Sequence, residues 1–140
     1  MEGDAQQLDA LRARYLADQV ATATPGQRLL MLFERLLRDL SNADAAFAAG
    51  DYYAINKSLV HAQEIVLALR DPLDRETDLG RALSSVYNFC FDRLVDANLR
   101  KDPEWIARCR QMIEQIATAN RVALEATMAA ERRPEVSSVG

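Results

Sequence analysis

The sequence predicts an all-α fold, an antiparallel up-down four-helix bundle with a short N-terminal helix. Three observations lead to this prediction. Apolar residues recur at spacings of three and four in every patterned segment, and none shows the alternation typical of a strand. Proline and glycine divide most of the chain into helical segments of roughly 20 residues. The connections between the four long segments are short, which places consecutive helices antiparallel.

Length and composition narrow the class of protein. The 140 residues fit one domain that can bury a core, and that core must be aliphatic because only 6% of the residues are aromatic. A net charge of −4 without a basic stripe argues against nucleic-acid binding. No signal peptide is recognisable, and no apolar run approaches the ~20 residues of a membrane span. We therefore expect a cytoplasmic protein that does not insert into membranes.

The N-terminal helix covers about residues 5–21. Its apolar stripe is narrow, comprising Leu8, Leu11 and Tyr15, and no strong capping residue precedes it. Such a helix is marginal by itself, so we expect it to be loosely held. The expected organisation is an N-terminal helix or cap segment (1–22), a helical bundle (23–130) and a disordered tail (131–140).

The second helix has the clearest start signal in the chain, TATPGQ. Thr24 is the predicted N-cap, Pro25 the first helical residue, and Gln27 the third position of a capping box. An apolar stripe that begins with Leu29 follows. Gly50 is the predicted end, because glycine tolerates the left-handed conformation that closes a helix.

The third helix is capped by Asp51 and runs to about Arg70, since Pro72 prevents easy continuation. One apolar stripe fits a bundle core and comprises Tyr52, Ile55, Leu59, Ala62, Val66 and Leu69. A second apolar row lies beside it, formed by Tyr53, Val60 and Leu67, with Asn56 and Gln63 between the rows. The apolar arc is therefore wider than the stripe of roughly 100° that a bundle helix needs.

The fourth helix, about residues 79–99, repeats this arrangement. Its core stripe comprises Leu79, Leu83, Val86, Cys90, Leu94 and Ala97, and its second row comprises Tyr87, Phe91 and Asn98. For the fifth helix, Asp102 is the predicted N-cap and Pro103 the first helical residue. The pattern of this last helix fades near residue 130.

The residue inventory argues against an enzyme and against any cofactor or metal. A di-iron bundle needs two Glu-x-x-His pairs, whereas this chain has one histidine. His61 and Glu64 fall on the predicted water-facing strip with Lys57, and we expect a solvated histidine there. Cys90 and Cys109 sit on apolar faces, where cysteine usually acts as a small buried hydrophobe.

The second rows of the third and fourth helices permit two interpretations. Each helix contacts two neighbours in a compact bundle, which by itself widens an apolar arc. Alternatively, the rows form a groove that receives a helix from a partner. Asn56, Gln63 and Asn98 favour the groove, because buried amides are costly when they lack hydrogen-bond partners.

Three segments of the chain resemble the FliS family of flagellin-specific export chaperones. ATATPGQRLLMLFERLLRDL is similar to its N-terminal signature, INKSLVHAQEIVLAL with DPLD to its central helix and turn, and VYNFCFDRLVDANLRKD to its third motif. The third match runs through Tyr87, Arg93, Leu94, Ala97, Asn98 and Asp102. The three motifs occur in order over about residues 15–119.

The resemblance implies a specific partner and a contact surface. FliS-like proteins bind the disordered C-terminal segment of flagellin, prevent its premature polymerisation and help present it to the flagellar export gate. Their N-terminal segment lies over part of the groove. The contact residues that the motif match implies are Tyr15, Asn56, Leu59, Val60, Gln63, Leu67, Tyr87, Phe91, Leu94 and Asn98. Leu59 and Leu94 fit the core stripes equally well.

Three alternatives remain open from the sequence. A related adaptor would hold another secreted amphipathic client. A bundle that carries a cofactor would be a different class of protein, although the residues give it little support. A self-associating bundle would use the exposed row as the face of a homodimer.

Overall fold

The computed structural model describes the backbone of residues 2–22 and 24–133, and the side chains of residues 3–14 and 24–133. Within these residues the protein is all-helical. The five helices are α1 (Glu2–Thr22), α2 (Pro25–Ala49), α3 (Tyr52–Arg70), α4 (Asp78–Arg100) and α5 (Ile106–Arg132). The predicted tail partly overlaps α5, and residues 134–140 lie outside the described residues.

Helices α2 to α5 form the predicted antiparallel bundle. Each packs against the next along the chain, and α5 returns to pack against α2. One largely aliphatic core runs through all four helices and includes Phe33, Leu36, Leu59, Leu94 and Ile113. The fold-class prediction is therefore confirmed.

The capping residues explain most helix boundaries. Thr24 and Gln27 form the predicted capping box: the Thr24 hydroxyl accepts from the Gln27 amide, and the Gln27 side chain accepts from the Thr24 amide. Gly50 ends α2 in the left-handed conformation, with φ 65°. Asp51 caps α3 by accepting from the amide of Ala54 at 3.1 Å.

The predicted start of α5 is wrong. Asp102 does not cap the helix; its carboxylate accepts from the amide of Glu104 and closes a local turn. The Ile106 amide then donates to the carbonyl of Pro103, so a tight turn precedes the α-helix. The N-cap position falls on Trp105, which provides no side-chain cap.

Two residues assigned to core stripes lie outside the core because they belong to the first turn of a helix. Tyr52 opens α3 with 66% of its surface exposed, and Leu79 stands exposed in the first turn of α4. Helix ends extend past the layer that neighbouring helices cover, so correct periodicity there does not guarantee burial.

Candidate partner-binding surface

The second apolar row of α3 lies at the molecular surface. Tyr53 is 77% exposed and Val60 is exposed, whereas Leu67 is half-buried. Asn56 is also exposed and Gln63 half-buried. These residues recur at spacings of three and four, so they line one side of α3, beside its buried stripe.

Two hydrogen bonds join this side of α3 to α4. At one end, Asn98 Nδ2 donates to Asn56 Oδ1 at 2.9 Å. At the other end, Arg70 Nη1 donates to Asn88 Oδ1 at 3.0 Å. Arg70 lies fourteen positions after Asn56, a distance of about 21 Å along a helix.

Between these two bonds lies an elongated, partly apolar surface. We call it the α3–α4 surface and define it by Asn56, Val60, Gln63, Leu67, Phe91 and Asn98. Phe91 belongs to it because it precedes Asn98 by two helical turns on α4 and packs partly against the core. The structure thus brings together six of the ten residues predicted to contact a partner.

The amides of the α3–α4 surface are only partly satisfied within the protein. Asn98 donates to Asn56 and accepts from the ammonium group of Lys101. Among the described residues, the side chain of Gln63 makes no hydrogen bond, and Nδ2 of Asn56 donates none. These groups therefore retain hydrogen-bonding capacity that water or a partner fills.

Three other predicted contact residues lie in the core: Leu59, Tyr87 and Leu94. Tyr87 is buried because it precedes Leu94 by two helical turns and so falls on the core stripe of α4. Burial raises the pKa of its phenol to about 12. In this conformation these side chains offer no surface to a partner, and they support the α3–α4 surface from beneath.

The tenth predicted residue, Tyr15, has a side chain outside the described part of the structure. Its backbone belongs to α1. The described side chains of that helix, residues 3–14, are exposed, including Leu8 and Leu11. The contact assigned to Tyr15 stays a prediction.

An open cleft at one end of the bundle was missed by sequence reasoning. It has a volume of about 560 Å³ and lies where the α2–α3 and α4–α5 connections meet. Phe47, Tyr52, Lys101 and Pro103 are among its lining residues. Its position depends on how two distant turns meet, so no local pattern of the sequence predicts it.

His61 is not the solvated residue that the sequence suggested. Its Nδ1 contacts the carboxylate of Asp39, across the interface between α2 and α3. Burial raises the pKa of Asp39, while the hydrogen bond and charge of His61 act in the opposite direction. The described residues include no cluster of three or more His, Cys, Asp or Glu side chains that is suited to a metal ion.

The two cysteines are buried free thiols between α4 and α5. The hydrogen bond with Cys109 and burial raise the pKa of Cys90. No helix within the described residues has both the length and the apolarity to cross a membrane.

Comparison with known proteins places the chain in context. The sequence profile of a family described as "Flagellar protein FliS" matches residues 7–127. A protein of Bacillus subtilis named "Flagellar secretion chaperone FliS" is 31% identical over 126 residues, which covers 90% of this chain and 92% of the relative. A protein of the same name from Salmonella typhimurium is 32% identical over 103 residues, covering 71% and 76%.

A solved structure has the same fold. It is described as "Crystal structure of flagellar chaperone from bacteria" and superposes with a TM-score of 0.68. The superposition covers 86% of this chain and 98% of the other. At 17% identity this likeness concerns the fold alone.

Proposed function

Because this chain belongs to the FliS family of flagellar secretion chaperones, we propose that it binds the C-terminal segment of flagellin through the α3–α4 surface. The family is not an enzymatic one, and its activity is the binding of a flagellar client. Binding would occur in the cytoplasm, keep flagellin from polymerising early and present it to the flagellar export gate.

The observation that carries the proposal is the composition of the α3–α4 surface. Val60 and Leu67 offer apolar contact, and the amides of Asn56 and Gln63 retain unused donors beside them. An amphipathic helix that lies along such a surface buries its apolar face and satisfies those amides. The gain offsets the entropy lost when a disordered segment becomes helical.

The first test is a calorimetric titration with the C-terminal ~40 residues of the flagellin from the same cell, with circular dichroism of the mixture. We expect binding, a negative heat-capacity change and more helix than the two components show separately. Absence of both heat and added helix, with a folded chaperone and an intact peptide, would contradict the proposal. Another secreted client would then have to be sought.

The second test locates the contact. We expect Asn56→Ala combined with Gln63→Ala to weaken client binding about 10- to 30-fold, since two partner hydrogen bonds are lost. The thermal midpoint should hardly change, because both residues lie outside the core. A large loss of stability would instead show that these amides stabilise the folded bundle.

A matched control lies one residue further along α3. Lys57 and Glu64 have the same spacing as Asn56 and Gln63 and are exposed on α3 outside the α3–α4 surface. Replacing both by alanine should leave client affinity unchanged. Sedimentation over a range of concentrations, without client, tests the remaining alternative that this surface is the face of a homodimer.

A further inference from the structure

The two cysteines of the chain meet where α4 packs against α5. Cys90 lies in the middle of α4, Cys109 lies in the first turn of α5, and both are buried. Their side chains hydrogen-bond to each other across this contact. The chain has no other cysteine, so neither thiol has a competing partner within the molecule. We call Cys90 and Cys109 the thiol pair.

A shielded cation lies beside the thiol pair. Arg93 follows Cys90 by one helical turn on α4. Its guanidinium carbon is 5.5 Å from the ring centroid of Trp105, which precedes Cys109 by one turn on α5. Nε of Arg93 is shielded from solvent and has no hydrogen-bond partner within the described residues. Because an unpaired donor of a charged group is costly, an anionic sulfur at Cys109 would be stabilised here.

The surroundings make the two thiols unequal. The hydrogen bond with Cys90 and the charge of Arg93 lower the pKa of Cys109, while burial acts in the opposite direction. For Cys90, the same hydrogen bond and burial both raise the pKa. The thiolate is the nucleophilic form of cysteine. Cys109 is therefore the thiol that attacks an oxidant, and Cys90 is the thiol that reacts in a second step.

The start of α5 gives a small oxidant a route to Cys109. The other three bundle helices begin with a side-chain cap, provided by Thr24, Asp51 and Thr77. Trp105 occupies the N-cap position of α5 and makes no such hydrogen bond. The amide of Cys109 donates to the carbonyl of Trp105 at 3.0 Å, so Cys109 belongs to this uncapped turn. A helix end without a cap opens at lower cost than a capped one.

We propose that a peroxide oxidises the thiol pair to a disulfide that joins α4 to α5, which makes Cys90 and Cys109 a site of reversible modification. Disulfides that form in reducing compartments are usually transient and serve redox sensing. The bridge should accordingly be reduced again by thiols. This inference does not depend on the proposed function or on the identity of the client.

The reaction has two steps and uses one molecule of hydrogen peroxide. The Cys109 thiolate attacks one peroxide oxygen, the O–O bond breaks, and hydroxide leaves, so that Cys109 becomes a sulfenic acid. The sulfur of Cys90 then attacks the sulfur of Cys109, the S–O bond breaks, and the hydroxyl group leaves as water with the proton of the Cys90 thiol. In total two thiols are oxidised, one peroxide is reduced, and two molecules of water form.

The first test treats the folded full-length chain with hydrogen peroxide and measures its intact mass without reductant. We expect a monomer that is lighter by two hydrogen atoms and that regains its original mass with dithiothreitol. The bridge closes a loop between two packed helices, so the oxidised chain should have a thermal midpoint about 5–10 °C higher. A lowered midpoint would mean that the bridge does not fit the native contact between α4 and α5, which contradicts the proposal.

Single-cysteine variants test the order of attack. In Cys90→Ala the second step is impossible, so the sulfenic acid of Cys109 should persist and be trapped by dimedone, with one label per chain. In Cys109→Ala the remaining thiol is buried and protonated, so labelling should be much slower. Equal labelling of the two variants would contradict the assignment of Cys109 as the attacking thiol.

Substitutions of Arg93 test its part in the reaction. We expect Arg93→Met to slow disulfide formation about three- to tenfold, because the Cys109 thiolate loses its cation. Arg93→Lys should retain most of the rate, since the charge remains. Arg100→Met is the matched control: Arg100 lies two turns further along α4, its side chain is 74% exposed, and it pairs with Asp96. The control should oxidise at the rate of the unmodified chain; an equal slowing in Arg93→Met and Arg100→Met would refute a specific role for Arg93.

The unfolded chain in urea is the reference for accessibility, because both thiols are exposed there. If the unfolded chain forms the disulfide while the folded chain keeps two thiols, the thiol pair only fills space in the core and the proposal is refuted. The urea dependence of the rate separates local opening from unfolding. Opening of one turn exposes little surface, so the rate should hardly change below the unfolding transition. A rate that rises steeply from the lowest urea concentrations would show that only the unfolded chain reacts, and would also refute the proposal.

Discussion

At the scale of single residues, the contact between Asp39 and His61 combines burial with charge. Burial raises the pKa of Asp39, so its ionised form is a cost to the folded state that His61 offsets. The charges of Arg35 and Arg38 act in the same direction as His61. The balance between these effects makes stability depend on pH.

His61→Ala should therefore destabilise the protein more as pH rises from acid values through the titration of Asp39. Asp39 has a folded-state pKa above its unfolded value, and removing His61 raises it further, so the added cost grows as pH rises through that folded-state pKa. At pH values below the folded-state pKa, where Asp39 is protonated in the folded state of both chains, the pH-dependent part should vanish. We expect about 1 kcal/mol of extra loss near neutral pH, since the pair is partly exposed.

Urea unfolding of both chains from pH 4 to pH 8 measures this difference. If the difference in free energy of unfolding between the two chains stays constant over the whole pH range, His61 contributes only packing.

Gly80 occupies a position where no larger side chain fits. A Cβ placed there would lie 1.8 Å from the carbonyl oxygen of Asp74, in the connection before α4. The hydroxyl of Thr77 donates to the same oxygen and accepts from the amide of Gly80, which fixes the connection against the helix. Sequence patterns do not reveal such a contact, because it depends on the path of the connection.

We expect Gly80→Ala to lower the free energy of unfolding by about 2 kcal/mol or more, because the backbone of the connection must move. Gly3→Ala is the control, since nothing lies within 4 Å of a Cβ at that position. It should have no effect or raise helix stability slightly. Equal thermal midpoints for the two variants would mean that the backbone of the connection before α4 moves at little energetic cost.

At the scale of helices, boundaries set by local chemistry were predictable and the others were not. The capping box at Thr24 and the C-terminal glycine that ends α2 each depend on residues a few positions apart. The start of α5 depends instead on Trp105 packing against Phe89, which is distant in sequence. Asp102 and Pro103 have the residue types of a helix start, but in the structure the Asp102 carboxylate closes a turn before the helix.

The capping box should contribute measurably to stability. Thr24→Ala removes the hydroxyl that accepts from Gln27, and we expect a loss of about 1 kcal/mol. Thr118→Ala, at an exposed position inside α5, should instead be neutral or slightly stabilising, because alanine favours helix. Denaturant titration of both variants checks this; similar losses would indicate that the cap adds nothing.

At the scale of the whole molecule, the four-helix core was predictable, and so was an exposed second row on α3. The sequence did not predict which of the proposed contact residues are buried in the core and which lie at the surface. Tyr87 and Phe91 both fit the second row of α4 by spacing, yet one is buried and the other is half-buried at the surface. The rotation of α4 about its own axis determines which of its apolar rows faces the core. The periodicity of a single sequence does not distinguish between two neighbouring rows.

Removal of residues 1–22 should leave the bundle intact. Within the described part of the chain, all buried side chains belong to α2–α5, and residues 3–14 are exposed. We expect the shortened chain to keep its thermal midpoint within a few degrees. Client affinity should stay equal or increase if α1 covers the α3–α4 surface. A midpoint lower by ten degrees or so would instead make α1 part of the folded core.

The order in which the helices pack also sets a timescale. Most contacts of the bundle join helices that follow one another in the chain, and proteins dominated by such local contacts fold in microseconds to milliseconds. A ribosome adds roughly 5–20 residues per second, so a client segment of ~40 residues takes several seconds to emerge. A chaperone molecule that unfolds by chance thus has time to refold many times before one such segment has been synthesised.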